Sequence, residues 1–215
     1  MLGTQLPKLT AIVDLEVAAR AGWTPLDLAR ACLDGGARLL QLRAKHLASA
    51  SFLALADDLV RVARRYDAAV IVNDRVDIAR LSGAAGVHVG QDDLPPVDAR
   101  QLLGPLAIIG FSTHSVEQVA STVREPVSYV AVGPVFGTQT KDTGYSPVGL
   151  ELVRHASERA GALPVVAIGG ITLATAASVV ASGAASVAVI SDLLVGGDPS
   201  ARVRAYLRDL AEHRV

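Results

Sequence analysis

Short apolar runs return eight times along the chain, each closed by a polar or glycine-rich stretch and followed by alanine- and leucine-rich sequence of helical period. The runs are TAIVD (10–14), RLLQLR (38–43), AVIVN (69–73), GVHV (86–89), AIIGFS (107–112), YVAVG (129–133), PVVAIG (164–169) and SVAVIS (186–191). All are short and mostly rich in Val, Ile and Ala, which suits strands buried on both faces. Helical patterns near 24–34, 48–65, 75–82, 96–103, 115–122, 147–159, 172–182 and 199–212 fill the intervals. Strand then helix, eight times over, predicts an α/β chain with one domain over 1–215, a (β/α)8 TIM barrel. A doubly wound open sheet is the alternative, but it seldom needs eight alternating units, and no G-x-G-x-x-G turn follows the first run. No linker rich in Pro, Ser or charge divides the chain.

A barrel puts its active site at the C-terminal ends of the strands. There the runs open into QLRAKH, NDR, GQDD, STH, GTQTK, GG and SD, whereas their bodies are almost wholly apolar. Gln41, Arg43 and Lys45 alternate along an extended chain, so all three can project to one side. Lys141 adds a third cation and Asn73 a second amide, a set that suits a phosphate or pyrophosphate. Surface charge, or pairing with helix carboxylates, is the plainer account of the cations. Asp74 and Asp93 follow neighbouring strands, and two hard carboxylates beside a polyanion suggest Mg²⁺. Zinc is disfavoured, because no Cys or His grouping has ligand spacing. Helix or turn capping is the competing explanation for these aspartates. The other half of the mouth carries neutral donors. Thr138 and Thr140 supply hydroxyls, and the backbone amides of IGG (168–170) and VIS (189–191) precede helices, the usual phosphate site of this fold. Gly169 and Gly170 would equally serve a tight turn or close packing.

Composition narrows the partners. The 215 residues are 51% hydrophobic and 4% aromatic with net charge −1, and no basic tract or acidic tail points to nucleic acid or a membrane surface. A lone Cys32 in a helical pattern has no thiol to pair with, which favours a reducing, cytoplasmic compartment and an inert buried role. The N-terminus lacks the features of a signal peptide, and no segment approaches about 18 uninterrupted apolar residues. A soluble protein with small-molecule partners is expected, and a homo-oligomer is compatible with the sequence.

QLRAK (41–45), VNDRVDIA (72–79), GVHVGQDDLP (86–95), GFSTH (110–114), YVAVGPVFGTQTKDTGY (129–145), VAIGGI (166–171) and VAVIS (187–191) together resemble the thiamine phosphate synthase family, from about Leu26 to the end of the eighth strand. Each motif is weak alone; seven in order at strand ends are specific. The resemblance implies a transferase that joins 4-amino-5-hydroxymethyl-2-methylpyrimidine diphosphate to a thiazole phosphate, releasing pyrophosphate. It implies that Gln41, Arg43, Lys45, Asn73 and Lys141, with Leu42 and Ala44 between the first three, hold the pyrimidine diphosphate. Asp74 and Asp93 would hold Mg²⁺, and Ser112 would touch the pyrimidine substrate near its leaving group. Thr138, Gln139, Thr140, Gly170, Ile190 and Ser191 would hold the thiazole phosphate. The implied mechanism is dissociative, with Arg43, Lys45, Lys141 and Ser112 serving departure of the pyrophosphate.

Thr10 departs from the family, many of whose members have a tyrosine there, packed near the pyrimidine. His88, inside the fourth run, is expected to be a hydrogen-bonded interior residue, and His114 to begin a helix. Three rivals remain. A thiazole tautomerase of the same superfamily tends to carry histidine where this chain has Pro134. A phosphosugar isomerase or aldolase barrel wants a central Glu, His or Schiff-base Lys. A ligand-sensing barrel would not need Asp74 and Asp93 together.

Overall fold

The computed structural model describes residues 6–137 and 147–212. Eight parallel strands close into a barrel in chain order: β1 (Leu9–Asp14), β2 (Leu39–Arg43), β3 (Ala69–Asn73), β4 (Gly86–Val89), β5 (Ile108–Thr113), β6 (Tyr129–Val132), β7 (Val165–Ile168) and β8 (Ser186–Val189). Closure is made by β1 pairing with β8, Thr10 opposite Ala188. The helices are α1 (Leu15–Arg20), α2 (Pro25–Asp34), α3 (Ser49–Arg64), α4 (Val76–Ser82), α5 (Pro96–Leu103), α6 (Val116–Thr122), α7 (Gly149–Ala160), α8 (Leu173–Ala181) and α9 (Pro199–Glu212), with a 3₁₀ turn at Ser191–Leu194.

Local chemistry accounts for the starts of several helices. Thr24 accepts from the Asp27 amide with Pro25 at the first helical position, and Thr172 and Thr175 form a reciprocal capping box on α8. The helix α1 was not expected from the periodicity. Its six residues are too few to display a helical repeat, and it is nucleated by Asp14, which accepts from the amides of Glu16 and Val17.

Strand alternation divides the apolar residues between two cores. Along β2, Leu40 and Leu42 pack outward among the helices, whereas Leu39 points into the barrel. The inner cluster of Ile12, Leu39, Ile71, Tyr129, Ala131, Val166 and Ala188 plugs the barrel, so the space above it is a blind cavity and no pore. Burying each large aliphatic of these layers contributes on the order of 2 kcal/mol. Cys32 is fully buried in the outer core, and burial pushes its thiol up to about 12, which leaves it unreactive. Among the described residues no helix is long and apolar enough to cross a membrane.

One inner position has no room for a side chain. A Cβ on Gly110 would lie 2.1 Å from Tyr129 Cζ and 2.5 Å from His88 Nδ1. Gly110→Ala is therefore expected to destabilise the barrel by about 2 kcal/mol or more in urea unfolding, because both neighbours are fixed by packing. An unchanged midpoint would contradict this packing account.

Candidate active site

The C-terminal ends of the strands surround a cavity of about 980 Å³. Gln41 and Arg43 enter it from β2, the inward partners of the outward Leu40 and Leu42. Arg43 is held by Asp14 at the end of β1, through a close charge-assisted hydrogen bond from Nη1 to Oδ2; the two side chains are only 13% and 3% exposed. Asp14 thus does two things: one oxygen caps α1 and the other orients the cation. Lys45 Nζ stands 3.7 Å from Asp74 Oδ2.

Asp74 does not cap α4, whose first residue follows Arg75 without any side-chain cap. Its backbone takes a left-handed φ of 64°, which turns the residue into the cavity, and its amide donates to the His88 carbonyl at 2.8 Å. A left-handed φ is uncommon for a non-glycine residue, although aspartate adopts it more readily than most, and Asp67, away from the cavity, shares it. Asp93 Oδ2 accepts from the Gly90 amide at 2.7 Å, so the competing turn-capping role is present, and Asp93 lines the cavity as well.

A buried polar network supports the middle of the cavity. Tyr129 on β6 shares a 2.9 Å hydrogen bond with His88 Nδ1, and His88 Nε2 shares one of 2.8 Å with Ser112 Oγ. The Tyr129 hydroxyl also bonds Gln41, and the His88 and Tyr129 rings stack with centroids 5.6 Å apart. Burial drives the Tyr129 phenol well above its ordinary pKa, so it remains a neutral hydroxyl. Four side chains from β2, β4, β5 and β6 thereby fix one another, with Ser112 at the exposed end. His114 lies just before α6 and its Nδ1 bonds the Gly133 carbonyl at 2.6 Å.

The opposite wall has a different character. Gly169, Gly170 and Ile171 after β7 face Ile190 and Ser191 after β8. Gly170 has φ 64°, and a Cβ there would meet the Gly137 carbonyl oxygen at 2.5 Å. The glycine is thus needed for conformation and close approach, while its backbone borders the cavity. Cations and carboxylates form one wall; backbone and hydroxyl donors form the other, together with the carboxylate of Asp192, which is paired with Arg202.

The sequence model of the family described as thiamine monophosphate synthase matches residues 9–193 of this chain. The chain belongs to that family. A thiamine-phosphate synthase of Roseiflexus castenholzii is 45% identical over 189 residues, which cover 88% of this chain and 82% of that relative. One from Chlorobium phaeovibrioides is 39% identical over 212 residues, 99% of this chain and 98% of the relative. Among solved structures, the thiamine phosphate pyrophosphorylase of Pyrococcus furiosus superposes with a TM-score of 0.86 at 31% identity, covering 97% of both chains. A 3-hexulose-6-phosphate synthase shares the barrel alone, with a TM-score of 0.66 at 21% identity.

In this thiamine monophosphate synthase family member, the structure brings Gln41, Arg43, Lys45, Asn73, Asp74, Asp93, Ser112, Gly170, Ile190 and Ser191 around one cavity. The side chains of Leu42 and Ala44 turn away into the outer core, which leaves only their main chain on the cavity side. Thr138, Gln139, Thr140 and Lys141 lie outside the described residues. Thr10 does not line the cavity; it is buried, its Oγ1 3.3 Å from Ser186 Oγ. Three contributors went unnoticed in the sequence. Asp14 could have been found as an aspartate at a strand end two residues before a helix amide. Arg20, on the cavity rim, follows from α1. Tyr129 has no local signature, because its partners come from other strands.

Tyr129→Phe should leave the barrel formed but strip His88 and Gln41 of a buried partner. Urea unfolding is expected to show a loss of about 1–3 kcal/mol. A loss below about 0.5 kcal/mol would mean that the hydroxyl does not anchor the network.

Proposed function

We propose that the protein couples the pyrimidine diphosphate to thiazole phosphate, forming thiamine phosphate and pyrophosphate, as a single catalytic domain in the reducing cytoplasm. The observation that carries this reading is the division of one cavity into a wall of cations and carboxylates and a facing wall of backbone and hydroxyl donors where Asp192 is paired with Arg202, in a chain of this family. The reaction needs two anionic substrates held face to face, and the two walls supply two kinds of anion site.

Arg43 and Lys45, with Lys141, would bind the diphosphate and offset the charge that grows on it as the carbon–oxygen bond breaks. Gln41 and Asn73 would add amide donors, and Ser112, held by His88, would donate its hydroxyl proton in a hydrogen bond near the leaving oxygen. The electron pair of the breaking bond departs with pyrophosphate. The methylene cation left behind is stabilised by the ring's amino group, and the thiazole nitrogen supplies the pair for the new carbon–nitrogen bond. Gly170, Ile190 and Ser191, with Thr138, Gln139 and Thr140, would hold the thiazole phosphate so that this nitrogen is in line. No nucleophile or strong base is required.

Among the described residues no group of three or more His, Cys, Asp or Glu is gathered, so a site built entirely from protein ligands is not offered. Two cavity carboxylates, Asp74 and Asp93, beside a bound diphosphate match the way Mg²⁺ is usually held, and they do not match zinc. Bound there, Mg²⁺ would supply charge neutralisation on the leaving diphosphate.

The test is thiamine phosphate formation by the purified protein with each component omitted in turn. Product should require both substrates and Mg²⁺, and a chelator should abolish it reversibly. Asp74→Ala and Asp93→Ala should each slow turnover by about 100-fold or more with the fold retained. Turnover without divalent metal, or unchanged turnover in both variants, would refute the metal role. Thiazole phosphate binding with no coupling under any condition would favour a tautomerase or sensor instead.

A further inference from the structure

A carboxylate sits in the wall that should bind phosphate. Asp192, in the 3₁₀ turn after β8, lines the cavity and is 8% exposed, one residue beyond Ser191. An uncompensated negative charge there would oppose a phosphate dianion. The structure compensates it heavily. Arg202 on α9 donates through Nε to Asp192 Oδ2 at 3.0 Å and through Nη2 to both carboxylate oxygens at 2.8 and 2.9 Å. Tyr206 on the same helix donates its hydroxyl to Oδ2, and Arg202 lies over the Tyr206 ring, 5.9 Å from its centroid. Burial, and then the Asp192 carboxylate, push the Tyr206 phenol well above its ordinary pKa, which keeps it a donor.

Asp192 also joins the two loops of that wall. Its Oδ2 accepts from the Leu173 amide at 3.1 Å, the first residue of α8, while the Thr172 amide is taken by Thr175 Oγ1 at 3.0 Å. The amide of Thr172, just before α8, and that of Leu173, its first residue, are therefore engaged inside the protein. The helix end acts as an anchor for the β8 turn, and the spacing between Gly170 and Ile190–Ser191 depends on that strut.

We infer that Arg202 and Tyr206 of α9 are positioning residues for the phosphate of the thiazole substrate, acting through Asp192. They fix the β8 turn against the β7 loop and cancel the charge that would repel the ligand. The inference rests on the assignment of thiazole phosphate to this wall. It reaches 11 and 15 residues beyond Ser191 in sequence, to a helix on the outside of the barrel.

The experiment compares Arg202→Gln, Arg202→Lys and Tyr206→Phe with the parent. Michaelis constants for both substrates are measured in the coupling reaction, and thiazole phosphate binding is measured by calorimetry without the pyrimidine substrate. Arg202→Gln should raise the KM and Kd for thiazole phosphate about tenfold by exposing the Asp192 charge, with the KM for the pyrimidine diphosphate within about twofold. Arg202→Lys should recover most of the loss, since it restores the charge. Tyr206→Phe, the milder change, should give a smaller shift in the same direction. Parallel rises in both KM values, or an unchanged Kd in Arg202→Gln, would overturn the inference while leaving the coupling activity standing. A parent that binds thiazole phosphate but does not couple it would instead refute the functional reading, and the calorimetric comparison would still decide the role of α9. Should Arg202→Gln not fold, the Tyr206→Phe and Arg202→Lys shifts in Kd decide it.

Discussion

Every feature of the site depends on one constraint: eight strands that all run the same way around a closed barrel. Parallel pairing sends each strand's C-terminal residue, and the loop after it, to the same face. The period of two along each strand then sends alternate side chains inward. At the bottom and middle these are Leu39, Ile71, Val166 and Ala188, which seal the barrel. At the top the inward positions become Arg43, Asn73 and Ser112, and the same rule that builds the core builds the cavity.

Electrostatics gives the cavity its polarity. Arg43 is largely buried and pinned by Asp14, whereas Lys45 is exposed and stands 3.7 Å from Asp74. Across the cavity, charge is cancelled at Asp192 by Arg202, which leaves that wall to neutral donors. In the proposed coupling reaction, a diphosphate and a monophosphate would therefore meet different environments within one space. Cation-rich and neutral anion sites facing each other suit a reaction that must expel one anion while retaining the other.

The repeating pattern of the chain was enough for the barrel, because each βα unit carries its own periodicity. The strand and helix limits agree with those read from the sequence to within two residues. The helix α1 escaped because a six-residue helix shows no repeat, and its start signal, Asp14, reads as the end of a strand. Cavity-lining residues at strand ends were legible for the same reason as the strands, since polarity changes abruptly at Arg43, Asn73 and Ser112. What sequence could not show were pairings between distant residues. Asp14 and Arg43 are 29 apart, His88 and Tyr129 41 apart, and only closure of the sheet brings them together. The outward turn of Leu42 and Ala44 is a simple consequence of alternation, which a motif read as a continuous string conceals.

The central claim is that one cavity holds two anions at once in separate halves. Calorimetric titration of thiazole phosphate into the protein, with and without saturating Mg²⁺ and pyrophosphate, addresses it directly. The account predicts that thiazole phosphate still binds with one-to-one stoichiometry when pyrophosphate is present, with its affinity unchanged or increased. Loss of thiazole phosphate binding in proportion to pyrophosphate concentration would show that both occupy a single anion site, and would contradict it.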